Sequence, residues 1–168
     1  MIERSFQKGD ASSTAVYSDC ERYRYSLTRI WTEGGTHALF VMLNPSTATE
    51  RQNDPTVERC ERRARALGHG AFTVCNIFAW RETDPHKMRK VSDPVGPGND
   101  TAITAACHQA DAIICAWGTH GAHLDRGRAV EALMRATDRP LHHLGLTKDS
   151  HPRHPLYISY TEQPRLWA

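Results

Sequence analysis

Paired cysteines are absent from this sequence. Its five cysteines are odd in number, none are spaced as Cys-x-x-Cys, and Cys75 and Cys115 lie inside apolar runs. A thiol in such a run usually behaves as a small hydrophobic side chain. The pattern therefore indicates neither a disulfide framework nor a cysteine zinc site.

Long apolar runs are also missing. The first eight residues, Met1–Lys8, contain no apolar core of a signal peptide, and no later run approaches the roughly 20 apolar residues that cross a bilayer. We therefore expect a cytoplasmic protein that has no membrane partner.

An excess of charge is lacking too, since the net charge is only +2. The composition therefore permits a nucleic-acid partner without indicating one. The basic residues are nevertheless clustered on two predicted helices, as Arg59, Arg62, Arg63 and Arg65, and as Arg126, Arg128 and Arg135. Each cluster is either a phosphate-binding face or an ordinary solvated helix face.

Four apolar runs alternate with helical patterns, at residues 37–43, 72–78, 111–117 and 141–147. Such alternation is typical of a parallel sheet covered by helices. We predict a single α/β domain over residues 1–168, a three-layer α/β/α sandwich with a mainly parallel sheet of about four core strands. Residues 22–31 alternate and are predicted to form an N-terminal hairpin with the strand that ends at Leu43. Asp54 and Pro55 are predicted to begin the first helix.

Polar residues follow each of the four apolar runs. Ligands bind at the carboxyl ends of parallel strands, so these residues are predicted to share one pocket. They are Asn44, Asn76 with Arg81, the segment Trp117–His120, and His151 with His154.

Five segments together resemble DUF1643, a family of domains of unknown function. They cover nearly the whole chain, at residues 41–47, 75–85, 93–100, 116–120 and 147–157. We therefore identify the chain as resembling this family, which brings no assigned activity with it.

Four shorter motifs resemble those of the uracil-DNA glycosylase superfamily. They are Leu-Asn-Pro-Ser at 43–46, Cys-Asn-Ile-Phe at 75–78 with Arg81 and Thr83, Trp-Gly-Thr-His at 117–120, and His-Pro-Arg-His-Pro-Leu at 151–156. The last motif carries one inserted residue. The resemblance implies a uracil-DNA glycosylase-like fold and an N-glycosidase that hydrolyses the base–sugar bond of a modified or mispaired pyrimidine, in DNA or a nucleotide. No cysteine spacing of the iron–sulfur glycosylases is present.

The same resemblance implies roles for individual residues. Asn44 would position a water, and His151 or His154 would donate to the oxyanion of the departing base, with His151 favoured. Asn76 would read the pyrimidine edge, and Ser46, where classical members carry a bulky aromatic residue, would leave room for a 5-substituent. The other substrate-binding candidates are Pro45, Phe78, Arg81, Trp117, Gly118 and His120. Lys148 and Arg153 are the main candidates for phosphate contacts.

Two other functions stay open from the sequence. One is a nucleic-acid or nucleotide-binding protein that has kept the pocket and lost catalysis. The other is a metal-dependent hydrolase that uses the histidines, although no helical i, i+4 pair of histidines and no carboxylate triad accompanies them. We expect a monomer with DNA or a nucleotide as partner, and neither a metal nor a cofactor.

Overall fold

The computed structural model describes residues 1–168 and contains one eight-stranded sheet. The strands lie in the order β1-β2-β3-β5-β4-β6-β7-β8. They are β1 (Ile2–Lys8), β2 (Ala11–Tyr17), β3 (Arg24–Ile30), β4 (His37–Met42), β5 (Ala71–Asn76), β6 (Ala112–Cys115), β7 (Leu141–His143) and β8 (Arg165–Leu166).

The predicted sandwich built on a mainly parallel, four-stranded sheet is wrong. The sheet is mixed, and four of its seven pairings are antiparallel: β1–β2, β2–β3, β3–β5 and β7–β8. Strands β1 and β2 were missed because they lack a pattern of large apolar residues. The middle of β1 is exposed on both faces, and β2 buries the small residues Ala11, Ser13 and Ala15.

The predicted hairpin between residues 22–31 and the strand ending at Leu43 is also wrong. Strand β3 pairs with β5, and β4 lies between β5 and β6 in parallel pairing with both. Five of the six residues of β4 are buried, which suits a central strand covered on both faces. The N-terminal hairpin is instead formed by β1 and β2, which turn at Gly9 with a φ of +60°.

Four helices complete the fold: α1 (Pro55–Ala66), α2 (Pro85–Met88), α3 (Asn99–Gln109) and α4 (Arg126–Arg135). Helix α1 packs on one face of the sheet, where Val57 and Cys60 join a cluster that includes Phe40 and Phe72. Helices α3 and α4 contribute to a second apolar cluster on the opposite face. As predicted, the Asp54 carboxylate caps α1 by accepting from the backbone N–H of Val57, and Pro55 follows it.

No helix combines the length and the apolar composition that crossing a membrane requires.

Candidate functional site

Asn44, Asn76 and His154 line one small cavity at the carboxyl ends of the parallel strands. Its volume is about 30 Å³, above the roughly 10–15 Å³ that one water molecule needs. The cavity therefore has room for a water and none for a nucleobase. The remaining lining residues are Arg24, Met42, Pro45, Ser46, Asp54, Thr56 and Val57.

The amide of Asn44 has a defined orientation. Its Nδ2 donates to the carbonyl of Glu82 at 2.5 Å and makes a longer contact of 3.4 Å with the carbonyl of Pro45. Two carbonyl acceptors on one side identify that end of the amide as the NH₂ group. The Oδ1 atom accepts no hydrogen bond from the protein and is the free acceptor of this side chain.

The amide of Asn76 is oriented by a buried arginine. Arg24 is only 1% exposed, and its Nη2 donates to Asn76 Oδ1 at 3.3 Å while Nη1 donates to the carbonyl of Ala48 at 3.0 Å. Burial lowers the pKa of Arg24 to about 10, so its guanidinium stays charged at neutral pH. Because the cation holds the oxygen end, the Asn76 NH₂ group is the free end.

His154 is held as a neutral donor. Its Nδ1 accepts from the backbone N–H of Leu156 at 3.4 Å, at the start of the 3₁₀ turn Pro155–Tyr157. Burial lowers the pKa of His154, and the charge of Asp54 only partly opposes this effect. A neutral imidazole that accepts at Nδ1 carries its proton on Nε2. The free nitrogen of His154 is therefore a hydrogen-bond donor.

Asp54 is the one carboxylate in the cavity wall. Its Oδ1 accepts from the backbone N–H of Val57 at 2.8 Å, and its Oδ2 accepts from that of Ala48 at 3.2 Å. Each oxygen keeps a lone pair beyond these bonds. Asp54 was not predicted as a site residue because its role as the cap of α1 already explained its place in the sequence.

Arg24 was missed for a different reason. A shift of register between Val16 and Tyr17 interrupts the pairing of β2 with β3. At this irregularity both Arg24 and its neighbour Tyr25 are buried, so the alternation of β3 does not predict which face Arg24 occupies.

Two arginines of α1 hydrogen-bond to the backbone of the segment that follows His154. Arg59 donates to the carbonyl of Pro155 at 3.2 Å and also to that of Ile158. Arg63 donates to the carbonyls of Ile158 and Ser159, both at 3.1 Å. Both arginines therefore form hydrogen bonds within the protein. They belong neither to a phosphate-binding face nor to a solvated face, the two roles predicted for this cluster.

Gly118 lies beneath the His154 loop and makes no direct approach to the cavity. Its N–H donates to the carbonyl of Pro152 at 2.7 Å, its φ is +75°, and a Cβ there would lie 3.4 Å from that of His154. The positive φ favours glycine, which allows the loop to pass closely over the end of β6.

His151 lies apart from Asn44. It lines a depression of about 820 Å³ beside α4, together with Trp117 and Trp167. Backbone bonds from Thr147 N–H to His151 O and from Arg153 N–H to Gly145 O fold the chain back on itself. The chain therefore reaches the small cavity with His154, so the structure does not bring the favoured His151 to Asn44.

The other predicted site residues lie around or outside the cavity. Phe78 and Trp117 are buried in the core cluster that includes α3 and α4. His120 packs against His86 with ring centroids 5.1 Å apart. Lys148 and Arg153 are exposed on the segment after β7.

Arg81 lines a second, open depression of about 430 Å³. Ser46 belongs to both this depression and the small cavity. Its Oγ lies 2.9 Å from that of Thr83, and Arg81 donates to the carbonyl of Glu21 at 3.0 Å. A base-sized space thus adjoins the water-sized cavity at Ser46.

No group of three or more His, Cys, Asp and Glu side chains is arranged to hold a metal ion. His151 and His154 line two different depressions despite their closeness in sequence.

Comparisons with known proteins give a family and no function. No curated protein and no solved structure is detectably similar to the chain. The profile of the family described as Protein of unknown function (DUF1643) matches residues 24–156, which include every lining residue of the small cavity. The chain belongs to the DUF1643 family.

Proposed function

We propose that this protein is an N-glycosidase that hydrolyses the base–sugar bond of a modified or mispaired pyrimidine in DNA or a nucleotide. We also propose a distant relationship to the uracil-DNA glycosylase superfamily. One observation carries the proposal: Asn44 after β4, Asn76 at the end of β5 and His154 on the segment after β7 line one water-sized cavity with a free acceptor and two free donors.

The proposed reaction uses a water held in this cavity. The water oxygen forms a bond with C1′ as the bond between C1′ and the base nitrogen breaks, and the bonding electron pair leaves with the base. Asn44 Oδ1 orients the water, and Asp54 accepts its proton. The charge of Asp54 also favours the positive charge that develops on the sugar.

Two donors suit the departing base. The Nε2–H of His154 stabilises the oxygen on which negative charge collects, and the Asn76 NH₂ group meets a second acceptor. Uracil and thymine carry carbonyl oxygens at both positions 2 and 4, whereas cytosine presents an amino group at position 4. Since Arg24 prevents Asn76 from turning its oxygen outward, we expect pyrimidines with a 4-carbonyl to be preferred.

The base itself would occupy the open depression next to Ser46, with its carbonyl edge turned toward Asn76 and His154 at the mouth of the small cavity. This arrangement keeps the water in the deeper cavity and leaves the 5-position beside a small side chain. Substituents at C5 are therefore expected to be tolerated.

The experiment is a base-release screen followed by mass spectrometry. Single-stranded and duplex oligonucleotides would carry uracil, 5-hydroxymethyluracil, mismatched thymine or 5-substituted cytosine. We expect free base and an abasic strand from uracil-type substrates, at a higher rate than from cytosine-type ones. No release from any substrate over long incubation would contradict the proposal.

One observation favours a second candidate, a binding protein without catalysis. The side chain at position 44 is an amide, which cannot accept a proton, and Asp54 is already engaged by two backbone N–H groups. This candidate predicts affinity for the same oligonucleotides with no base release.

A further inference from the structure

A cluster of basic side chains lies on the segments that follow β5 and β6. We name it the histidine–arginine patch, and its members are His86, Arg89, Lys90, His120 and His123. They line two adjoining depressions, of about 260 and 400 Å³. Arg89 and His123 belong to both depressions.

The patch carries positive charge that the protein leaves unpaired. Arg89 and Lys90 form no ion pair and donate no side-chain hydrogen bond, and no carboxylate lines either depression. Several other exposed cations are paired, as Arg62 is with Glu58, although Lys148 and Arg153 also form no ion pair. An unpaired group of cations around a concave surface attracts anions.

The side chains around His120 repel an added proton. Burial is the main cause of its lowered pKa, and the neighbouring His86, Arg89 and His123 lower it further while Asp84 opposes them. A bound anion would relieve this repulsion and raise the pKa of His120.

The position of the patch connects it to the candidate site. Strand β4 lies between β5 and β6, and the segments that follow those two strands meet where the ring of His86 packs on that of His120. The first of these segments also includes Glu82, whose carbonyl holds Asn44. The patch therefore flanks the edge of the sheet at which the cavity opens.

We propose that the histidine–arginine patch binds a phosphate group, supplied by a nucleic-acid backbone next to the processed base. The choice of nucleic acid over a free phosphate or nucleotide rests on the proposed glycosidase function. The phosphate chemistry itself rests on the patch alone. Arg89 and Lys90 supply charge, and the histidines supply N–H donors to the phosphate oxygens.

Fluorescence anisotropy with labelled oligonucleotides that lack any modified base tests this site without requiring catalysis. The test variant is Arg89→Ala with Lys90→Ala. The control is Arg62→Ala with Arg128→Ala, which removes the same charge from side chains that are 66% and 85% exposed. The test variant should bind more weakly, and the slope of log K against log salt should fall by about 0.7–0.9 for each lost contact. The control should keep the wild-type slope.

Titration of the wild-type protein with inorganic phosphate or a nucleoside monophosphate, followed by NMR of the histidine ring protons, distinguishes the sources. If phosphate shifts the signals of His120 and His123 but the test variant keeps the wild-type salt slope for oligonucleotide binding, the site binds free phosphate or nucleotide. That result would overturn the proposal that a nucleic-acid backbone supplies the phosphate. A lower slope in the test variant alone supports the backbone, even if no base is released. If phosphate causes no shift and the test variant shows no change in slope, the phosphate site is overturned.

Discussion

Replacing Asn44 by alanine should greatly slow turnover while the fold persists. The variant loses the hydrogen bond from Nδ2 to the carbonyl of Glu82, on a half-buried side chain, which corresponds to about 0.5–1.5 kcal/mol of stability. The water loses the acceptor that orients it. By analogy with the removal of one oriented transition-state contact, the rate should fall by roughly 10²–10³-fold.

Asn44→Asp is the informative companion variant. It keeps an oxygen toward the water and adds negative charge near the cationic sugar, so its rate should equal or exceed that of the wild type. It also places a carboxylate oxygen against the carbonyl of Glu82, where the NH₂ group now donates. Its free energy of unfolding should therefore fall by about 1–3 kcal/mol.

Single-turnover base release and urea denaturation measure the two effects separately. Binding of substrate by Asn44→Ala should stay close to that of the wild type. Full turnover in Asn44→Ala would remove this residue from the mechanism and refute the reasoning.

Three further predictions follow from the site. Because burial lowers the pKa of His154 in the folded state, the free energy of unfolding should rise with pH between that lowered pKa and the unfolded value of about 6.5. This stability should be lost as pH falls. In urea unfolding from pH 5 to 8, the free energy of unfolding should therefore depend less on pH in His154→Gln than in the wild type. Arg59→Ala removes the hydrogen bonds to the carbonyls of Pro155 and Ile158 and should lower the free energy of unfolding by about 1–3 kcal/mol in the same assay. The control Arg62→Ala, at an exposed ion pair, should lower it by less than about 1 kcal/mol. Equal losses would contradict the structural role of Arg59. If the exposed Lys148 and Arg153 touch phosphate, as the sequence suggests, their double alanine variant should lower the salt slope of DNA binding by about 0.7–0.9 per contact, and an unchanged slope would exclude them.

Local sequence signals predicted the start of α1. Asp54 and Pro55 begin α1 because capping depends on a few neighbouring residues. Asn44 was recognised because it directly follows a long apolar run, and Asn76 because it is a polar residue within one. These features depend on short stretches of chain, and the sequence shows them directly.

The sheet could not be predicted in the same way. Strand β1 has little to bury, since solvent covers most of both its faces. The pairing of β3 with β5 instead of β4 joins residues far apart in sequence, such as Thr28 and Thr73, whose hydroxyls lie 2.8 Å apart. No local pattern specifies that choice.

The candidate site shows the same limit. The identity of its histidine depends on the fold of the loop over residues 145–153, where Leu146 and Pro152 form a bridge. The burial of Arg24 depends on an irregularity in the pairing of its own strand, β3, with β2. Both features depend on tertiary packing, which the sequence motifs do not specify.

The most direct test of the account is the release of free base from a uracil-containing oligonucleotide by the wild-type protein and by Asp54→Asn. Asparagine caps helices about as well as aspartate, so the variant keeps the bond from the Val57 N–H and loses the carboxylate charge together with the bond from the Ala48 N–H. The account predicts uracil and an abasic strand from the wild type, and a rate reduced by at least about 100-fold in Asp54→Asn. Equal release by the two proteins, or release by neither, would contradict it.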